Sequence, residues 1–563
     1  MEPKRFLGVS VNLAYRFFGG LASSLCERLR VDDLLYRSGL KISPQGYFSI
    51  LLFFFFFLFL PLSLVFLFFS LFLVFGSFFL LVSLAPLSLS FSLFLLFPYL
   101  KLSLRKSSLL SELPFASAYF GMLGLSGAPI YRGFETFSSQ SVFPGMRREG
   151  ELFLRDYLFF TKDPAVTLHD LSLTHPLKEF RDYLSSYLRI AESGGDVSSF
   201  LVDYTSRLGE RLWSRFKRYS EDAKVFGDLL IALFVFIPLG VFSIFSVMSP
   251  IGAPFLFRIY GFVLTPILSF CLLIVIDSSQ LKFPVNTSKY LKSSLFFMMP
   301  ALLLSLFFME YFGLRFYEVF SFFVTCSLMP SSIAYEFDKV RGRRLESRLP
   351  SFVRDVSEYV KIGLSVERAL VLAEKRSYGD KLDGLIRRLN RSLRYSVVSV
   401  DDLFSSLTYG LKSWFARAFF WLFKESISTG GGPEIFSYLA KFSDEYFYFK
   451  RNVARESRLY VFIGYFASLM LLFVIVQVIR FGVLPQVSFH DFGEMSFSST
   501  FSLSGDVVDE LVDSAYSMIS IISFFIGLIV GKVAHGSVVG GFKHAILCTL
   551  ISFLGIRGVI SLW

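Results

Sequence analysis

Residues 348–375 read RLPSFVRDVSEYVKIGLSVERALVLAEK and open a polar, helix-patterned block that runs to Arg458 between two strongly apolar regions. The block continues through KLDGLIRRLNRSLRY at 381–395, turns at the glycine run of ESISTGGGPEIFSYLAKF at 425–442, and ends in the charged YFKRNVARESR at 448–458. A second block of similar size lies between Ser111 and Lys224. A shift of 236 positions lays Leu113-Pro114 on Leu349-Pro350, Gly127 on Gly363, Arg132 on Arg368, Arg155 on Arg391 and Gly194-Gly195 on Gly430-Gly431, with no gap. These matches are few, but several fall on the Gly and Pro residues that fix where helices begin and end. In each copy a helix is expected to start at the Leu-Pro and to stop near Gly127 or Gly363, where a left-handed cap costs glycine no Cβ clash. The double glycine then makes a helix-to-helix corner. Asp196 follows it as an N-cap in the first copy, and Pro433 with Glu434 opens the next helix in the second. One soluble helical module is carried twice.

What surrounds the modules is not the composition of a soluble protein. Of 563 residues, 54% are hydrophobic and 73 are Phe, and the mean hydropathy is +0.58. With 18% of residues charged, the polar ones must be concentrated in a few segments. The formal net charge of +11 fits basic cytoplasmic loops of a multi-pass membrane protein, so no nucleic-acid partner is expected. Cys26, Cys271, Cys326 and Cys548 are far apart and form no metal-ligand or disulfide framework.

The expectation is an all-α polytopic membrane protein with about nine transmembrane helices and two cytoplasmic helical-bundle modules. Residues 1–46 form a cytoplasmic N-terminal segment with no cleaved leader, and Ser43-Pro44 is a helix-start signal. From Ile42 to Leu100 there is no charged residue, a length that accommodates two crossings of about 30 Å each, within 47–98. The first module occupies 99–226, crossings three to six occupy 227–334, the second module occupies 335–458, and crossings seven to nine occupy 459–563. Within the last part, 485–512 has no Lys or Arg but carries Asp491, Glu494, Asp506, Asp509 and Glu510. That acidic loop is expected outside, with the N-terminus and both modules inside, by the positive-inside rule and by counting crossings.

No residues suggest catalysis. The nearest approach to a phosphate loop, Gly527-Leu-Ile-Val-Gly531-Lys532, lacks the spacing and the hydroxyl, and its glycines better suit close helix contact in a membrane. His169, His175, His490, His535 and His544 form no metal pattern. His535 and His544, with Lys532 and Lys543, read as a solvated or headgroup-facing cluster. No cofactor is expected, and a membrane enzyme is disfavoured. A transporter with regulatory cytoplasmic domains is the alternative, disfavoured because Arg258, Asp277, Glu310, Glu318, Arg480 and Arg557 all fall near predicted helix ends rather than mid-membrane. One feature points to a partner. In 381–395 the residues Leu382, Leu385, Ile386, Leu389 and Leu393 make an apolar face while Arg387, Arg391 and Arg394 line another, and Arg341, Arg343 and Arg344 cluster at a membrane exit. Both anionic lipid headgroups and an acidic cytoplasmic protein fit such charges.

The LPxF helix ending at Gly, the SGGD or TGGG corner and the charged helix running into a crossing resemble the type II secretion system F domain. The SGLKISPQGYF stretch at 38–48 and GLIVGKVAHGSVVGGFKHAIL at 527–547 are similar to the archaeal branch of that family, the platform proteins of the FlaJ (ArlJ) or TadC type. The first module departs most, with Phe115, Ser117 and Tyr119 where the family has a more charged helix. The resemblance implies a plasma-membrane platform, possessing no active site, for assembly of an archaellum or type IV-like pilus. It further implies a hexameric cytoplasmic secretion ATPase and pilin or archaellin subunits as partners, in a homodimer.

Overall fold

The computed structural model describes residues 14–24, 26, 35, 37–39, 43–61, 63, 64, 76–248, 253–280, 287–395, 404, 406, 408, 410–478 and 505–561, and every regular element among them is helical. The chain gathers into two compact units, Met1–Tyr204 and Thr205–Trp563. In the first, α1 (Pro44–Phe54) starts where the Ser43 hydroxyl accepts from the Gly46 amide at 3.1 Å. Then come α2 (Gly76–Leu125), α3 (Tyr131–Ser139), α4 (Pro144–Asp156), α5 (Pro164–Thr174) and α6 (Lys178–Glu192). Helix α7 (Val197–Ile231), which begins in the first unit and continues past Tyr204 as part of the second, opens with Asp196 accepting from the Ser199 amide at 3.1 Å. Aromatic rings fill the interior: Phe134 stacks on Phe153 at 4.9 Å between centroids, and Phe120 lies 5.4 Å from Phe134.

The second unit holds α8 (Ile237–Met248), α9 (Ala253–Ile259), α10 (Thr265–Ser279), α11 (Ser288–Phe312) and α12 (Phe316–Glu346). It continues with α13 (Leu349–Lys361), α14 (Val366–Glu374), α15 (Asp380–Tyr395), α16 (Trp414–Ser428), α17 (Pro433–Val478), α18 (Gly505–His535) and α19 (Val538–Ser561). Among the described residues seven helices are long and apolar enough to cross a membrane: Val197–Val241, Pro254–Ser279, Ser288–Phe312, Phe316–Lys361, Pro433–Gln477, Asp509–His535 and Val538–Gly558. The protein is therefore a polytopic all-helical membrane protein. These seven fall on the third to ninth expected crossings. The two crossings expected within 47–98 are described only in part, since residues 62 and 65–75 lie outside the described residues, as does most of the expected acidic loop.

Helix α18 is the axis of the membrane bundle. Of its most apolar window 83% is buried, against 11% for α11, which shows its Leu, Met and Phe side chains outward as a lipid-facing helix does. Glycines let α18 and α19 touch: a Cβ on Gly531 would stand 2.0 Å from the Gly541 Cα, and one on Gly527 2.4 Å from the Ala545 Cα. Ion pairs close the bundle at both ends. Arg258–Glu510 at 2.9 Å, Arg315–Asp513 at 2.6 Å and Arg557–Glu318 at 2.6 Å lie toward the start of α18, while Lys532–Asp277 and Lys543–Glu336, the latter at 2.6 Å, lie toward its end. Asp513 and Lys532 on α18 are separated by about 28 Å of helix with no charge between them, close to the thickness of a hydrocarbon core of about 30 Å.

The helices of the two polar blocks recur at the sequence shift. Adding 236 carries Lys178–Glu192 onto Trp414–Ser428 at both ends, Pro144 onto Asp380 and Val197 onto Pro433, and brings α3 within one residue of α14. One boundary differs from expectation. Leu349 starts α13, but its counterpart Leu113 lies inside the 50-residue α2, which runs through Pro114 without a stop. The reason is burial: Leu109, Leu113, Ala116 and Phe120 form one unbroken buried stripe at helical spacing, which outweighs the single backbone bond that proline removes.

Candidate functional site

The glycines picked out by the repeat sit at left-handed helix ends. Gly127 and Gly363 have φ of +73° and +91°, and Gly194 and Gly430 have +69° and +114°. At all four the glycine amide donates to the carbonyl three residues back, and the next amide donates to the carbonyl five back: Ala128 to Leu123 at 2.8 Å, Leu364 to Tyr359 at 3.2 Å, Gly195 to Ile190 at 3.0 Å and Gly431 to Ser426 at 3.0 Å. This is the paired bonding of the Schellman motif, repeated twice per module. Gly431 also has positive φ, +62°.

Between those corners the buried positions correspond although the residues do not. Phe120 and Val356, Phe134 and Leu370, Phe137 and Ala373, Met146 and Leu382, and Tyr183 and Phe419 are each buried in their own module. Where the first copy has Phe134 beside Gly150, the second has Leu370 and Ile386, so volume is traded between neighbours. The departures at Phe115, Ser117 and Tyr119 are core positions too, all buried.

The six arginines singled out in the second module do not form one site. Leu382, Ile386 and Leu389 bury the apolar face of α15, which leaves Arg387 and Arg391 exposed on its outer side; the Arg394 side chain lies outside the description. Arg344 is exposed at the end of α12. Arg341 and Arg343 instead line two clefts along α12, the first where it meets α15 and the turn before α16, the second where it meets α11, α16 and α17. Arg341 shares a cleft of about 410 Å³ with Lys381, Arg388 and Lys412. Arg343 lines a neighbouring one of about 470 Å³ with Lys289, Arg417, Lys450 and His535. Acids hold parts of this ring: Asp338 takes Lys412 at 2.5 Å and the Tyr290 hydroxyl at 2.6 Å, and Glu346 takes Lys450 at 2.5 Å. Lys381, Arg388 and Lys412 were not picked out from sequence, because Arg341, α15 and the turn before α16 are far apart along the chain and only the folded junction gathers their charges.

A second charged cluster, unforeseen in the sequence, is buried in the first unit. Arg105 grips Glu149 with two bonds of 2.7 and 2.5 Å, and His175 lies 3.5 Å from the same carboxylate. Burial raises the Glu149 carboxyl, but His175 and Arg105 outweigh it and hold it down at about 2. Glu112, also buried, accepts from the Gly145 amide at 2.9 Å and the Met146 amide at 2.7 Å, capping the start of α4 from another helix. Its burial exceeds the effect of those donors and pushes the carboxyl up to about 7.

Of the cluster expected to be solvated or headgroup-facing, His544 and Lys532 are instead buried, while His535 and Lys543 are partly exposed. His544 is buried, its Nδ1 2.5 Å from the Tyr465 hydroxyl and its Nε2 3.0 Å from Nε2 of His535. The close approach of α18 and α19 at Gly531 and Gly541 presses the two rings together. Among the described residues no group of three or more His, Cys, Asp or Glu is placed to hold a metal ion.

Residues 116–245 match the family Type II secretion system (T2SS), protein F. The match begins within the first module, the copy expected to depart most, and runs into the crossing after it. The chain is also 20% identical over 496 residues to an uncharacterized protein of Methanocaldococcus jannaschii, MJ1286, covering 81% of each chain. No solved structure matches it.

Proposed function

We propose that the protein is the membrane platform of an archaeal type IV pilus-like filament, an archaellum or a pilus, and that it passes force from a cytoplasmic secretion ATPase to the insertion of pilin-like subunits. The observation that carries this reading is the pair of matched modules together with the T2SS protein F likeness over the first. A module that only regulates needs no rigid link to the bilayer, whereas one that transmits force does. Helix α17 offers such a link: 46 unbroken residues, about 69 Å, begin at the Gly430-Gly431 corner and end in a span. Helix α7 starts at the equivalent corner and is likewise continuous. Both modules face the cytoplasm in this reading, and the ring of Lys and Arg lining the two clefts along α12 lies on the side where positive charge is retained. The charged pairs at both ends of the bundle, with none in between on α18, fit a scaffold better than an ion pathway.

The exposed Arg387 and Arg391 of α15, with Arg394 of the same sequence face, give the test. Replacing Arg387, Arg391 and Arg394 together with Glu should abolish filament assembly and co-purification of the secretion ATPase while the protein still inserts at normal levels. Unchanged assembly and unchanged co-purification would remove this face from the coupling path. Failure of the wild-type protein to hold any cytoplasmic ATPase, with or without nucleotide, would remove the platform reading itself.

A further inference from the structure

The 410 Å³ cleft around Arg341, Lys381, Arg388 and Lys412 is, we propose, a docking pocket for the acidic carboxyl-terminal turn of a helix from another protein. Its counterpart in the first module shows what the position is shaped to hold. Under the shift of 236, Arg341 corresponds to Arg105, Gly384 to Arg148 and Leu385 to Glu149. In the first unit Arg105 donates from Nη1 to the Arg37 carbonyl at 2.7 Å, and Arg148 from Nη2 to the Gly39 carbonyl at 2.6 Å. Gly39 has φ of +65° and follows the helical Ser38, so the gripped carbonyls are those that end a helix. Such carbonyls have no partner within the helix and carry the negative end of its dipole. The chain's own segment thus fills in the first module the place that forms an open cleft in the second.

The charge of the place has changed between the copies. Glu149 occupies Nε and Nη2 of Arg105, which leaves Nη1 for a neutral carbonyl. In the second copy Leu385 stands where Glu149 does, and among the described residues no carboxylate is within ion-pair distance of Arg341, Lys381 or Arg388. Lys412 is held by Asp338. Among the described residues four cations stand around one acid, which suits a helix end that brings full negative charge, as acidic side chains or a chain-terminal carboxylate, through charge-assisted bonds to the guanidinium forks of Arg341 and Arg388. Acids in the last turn weaken an isolated helix by opposing its dipole, so a segment of that kind gains most from such a seat. This goes beyond the platform reading and does not require it.

The test uses the full-length protein in neutral phosphatidylcholine nanodiscs and a fluorescent synthetic helical peptide whose last turn is three glutamates with a free carboxylate. Anisotropy should show one peptide bound per chain, with the same peptide carrying glutamines and an amidated end bound at least about tenfold more weakly. Arg341→Ala with Arg388→Ala should lose about tenfold or more, and Leu385→Glu, which supplies the cleft with the acid the first copy has, should lose as much without removing a cation. Arg368→Ala, an exposed cation on α14 that does not line the cleft, should change little. No binding, equal binding of the neutral peptide, or indifference to both cleft variants overturns the proposal. Displacement of the peptide by nanodiscs containing phosphatidylglycerol, lost in the Arg341 and Arg388 variant, would make the cleft a lipid headgroup site and equally overturn it.

Discussion

Glu112 shows how a single buried acid ties stability to pH. With its carboxyl pushed up to about 7 from an ordinary 4.5, the folded protein retains a proton that the unfolded chain releases. That contribution is complete below about pH 4.5 and is lost as the pH rises through about 7, the reverse of the neighbouring Glu149, whose contribution stands above about 4.5 and falls away only toward about 2. Glu112→Gln should therefore flatten the decline in thermal midpoint between about pH 5 and pH 8, measured on the detergent-solubilised protein. An unchanged decline would mean that Glu112 is ionised in the fold. Gly430 makes a different demand, on the backbone. Nothing lies within 4 Å of a Cβ built there, so substitution meets no neighbour and the cost is all in φ of +114°. Gly430→Ala should lose at least about 1 kcal/mol, and Gly430→Val clearly more, because a φ so far beyond the usual left-handed region strains any Cβ and a β-branched residue most. The glycines were legible because a cap's requirement is local; the Arg105–Glu149–His175 cluster was not, because its members come from two helices and the turn after α5 and only tertiary packing brings their charges together.

Helices in this protein were readable to the extent that their ends are chemical. Ser43, Asp196 and Pro433 mark starts, and Gly127, Gly194, Gly363 and Gly430 mark stops, all visible as letters. Pro114 misleads for the opposite reason: a proline is a strong local signal, and the stripe that overrides it becomes decisive only when α3, α4 and α6 cover it. The glycines of α18 belong to the readable kind, since Gly527 and Gly531 lie four apart in an apolar run. Their contact with α19 is tight enough that Gly531→Leu should force the two helices apart, costing several kcal/mol, which would appear as loss of the folded protein after solubilisation. Gly240→Leu, where a Cβ meets nothing within 4 Å, is the control and should behave as wild type. Equal behaviour of the two variants would mean that α18 and α19 are not packed through Gly531.

At the scale of the whole molecule the account comes down to a duplicated module and its relation to the bilayer. The duplication could be seen in the sequence only as a register of corners, because the buried partners were exchanged pair by pair, Phe134 with Gly150 for Leu370 with Ile386. The side of the membrane was read from a bias in charge and from the count of crossings, and the place where the bias is strongest, the acidic stretch 485–512, lies mostly outside the described residues. The most direct measurement is labelling at the two equivalent corners. With Cys26, Cys271, Cys326 and Cys548 replaced by Ala, Glu192→Cys and Ser428→Cys place one thiol each at matched exposed positions beside Gly194 and Gly430. A membrane-impermeant maleimide added to intact cells should leave both unlabelled and should label both once the cells are opened. Labelling of one corner from outside, and of the other only from within, would contradict the account.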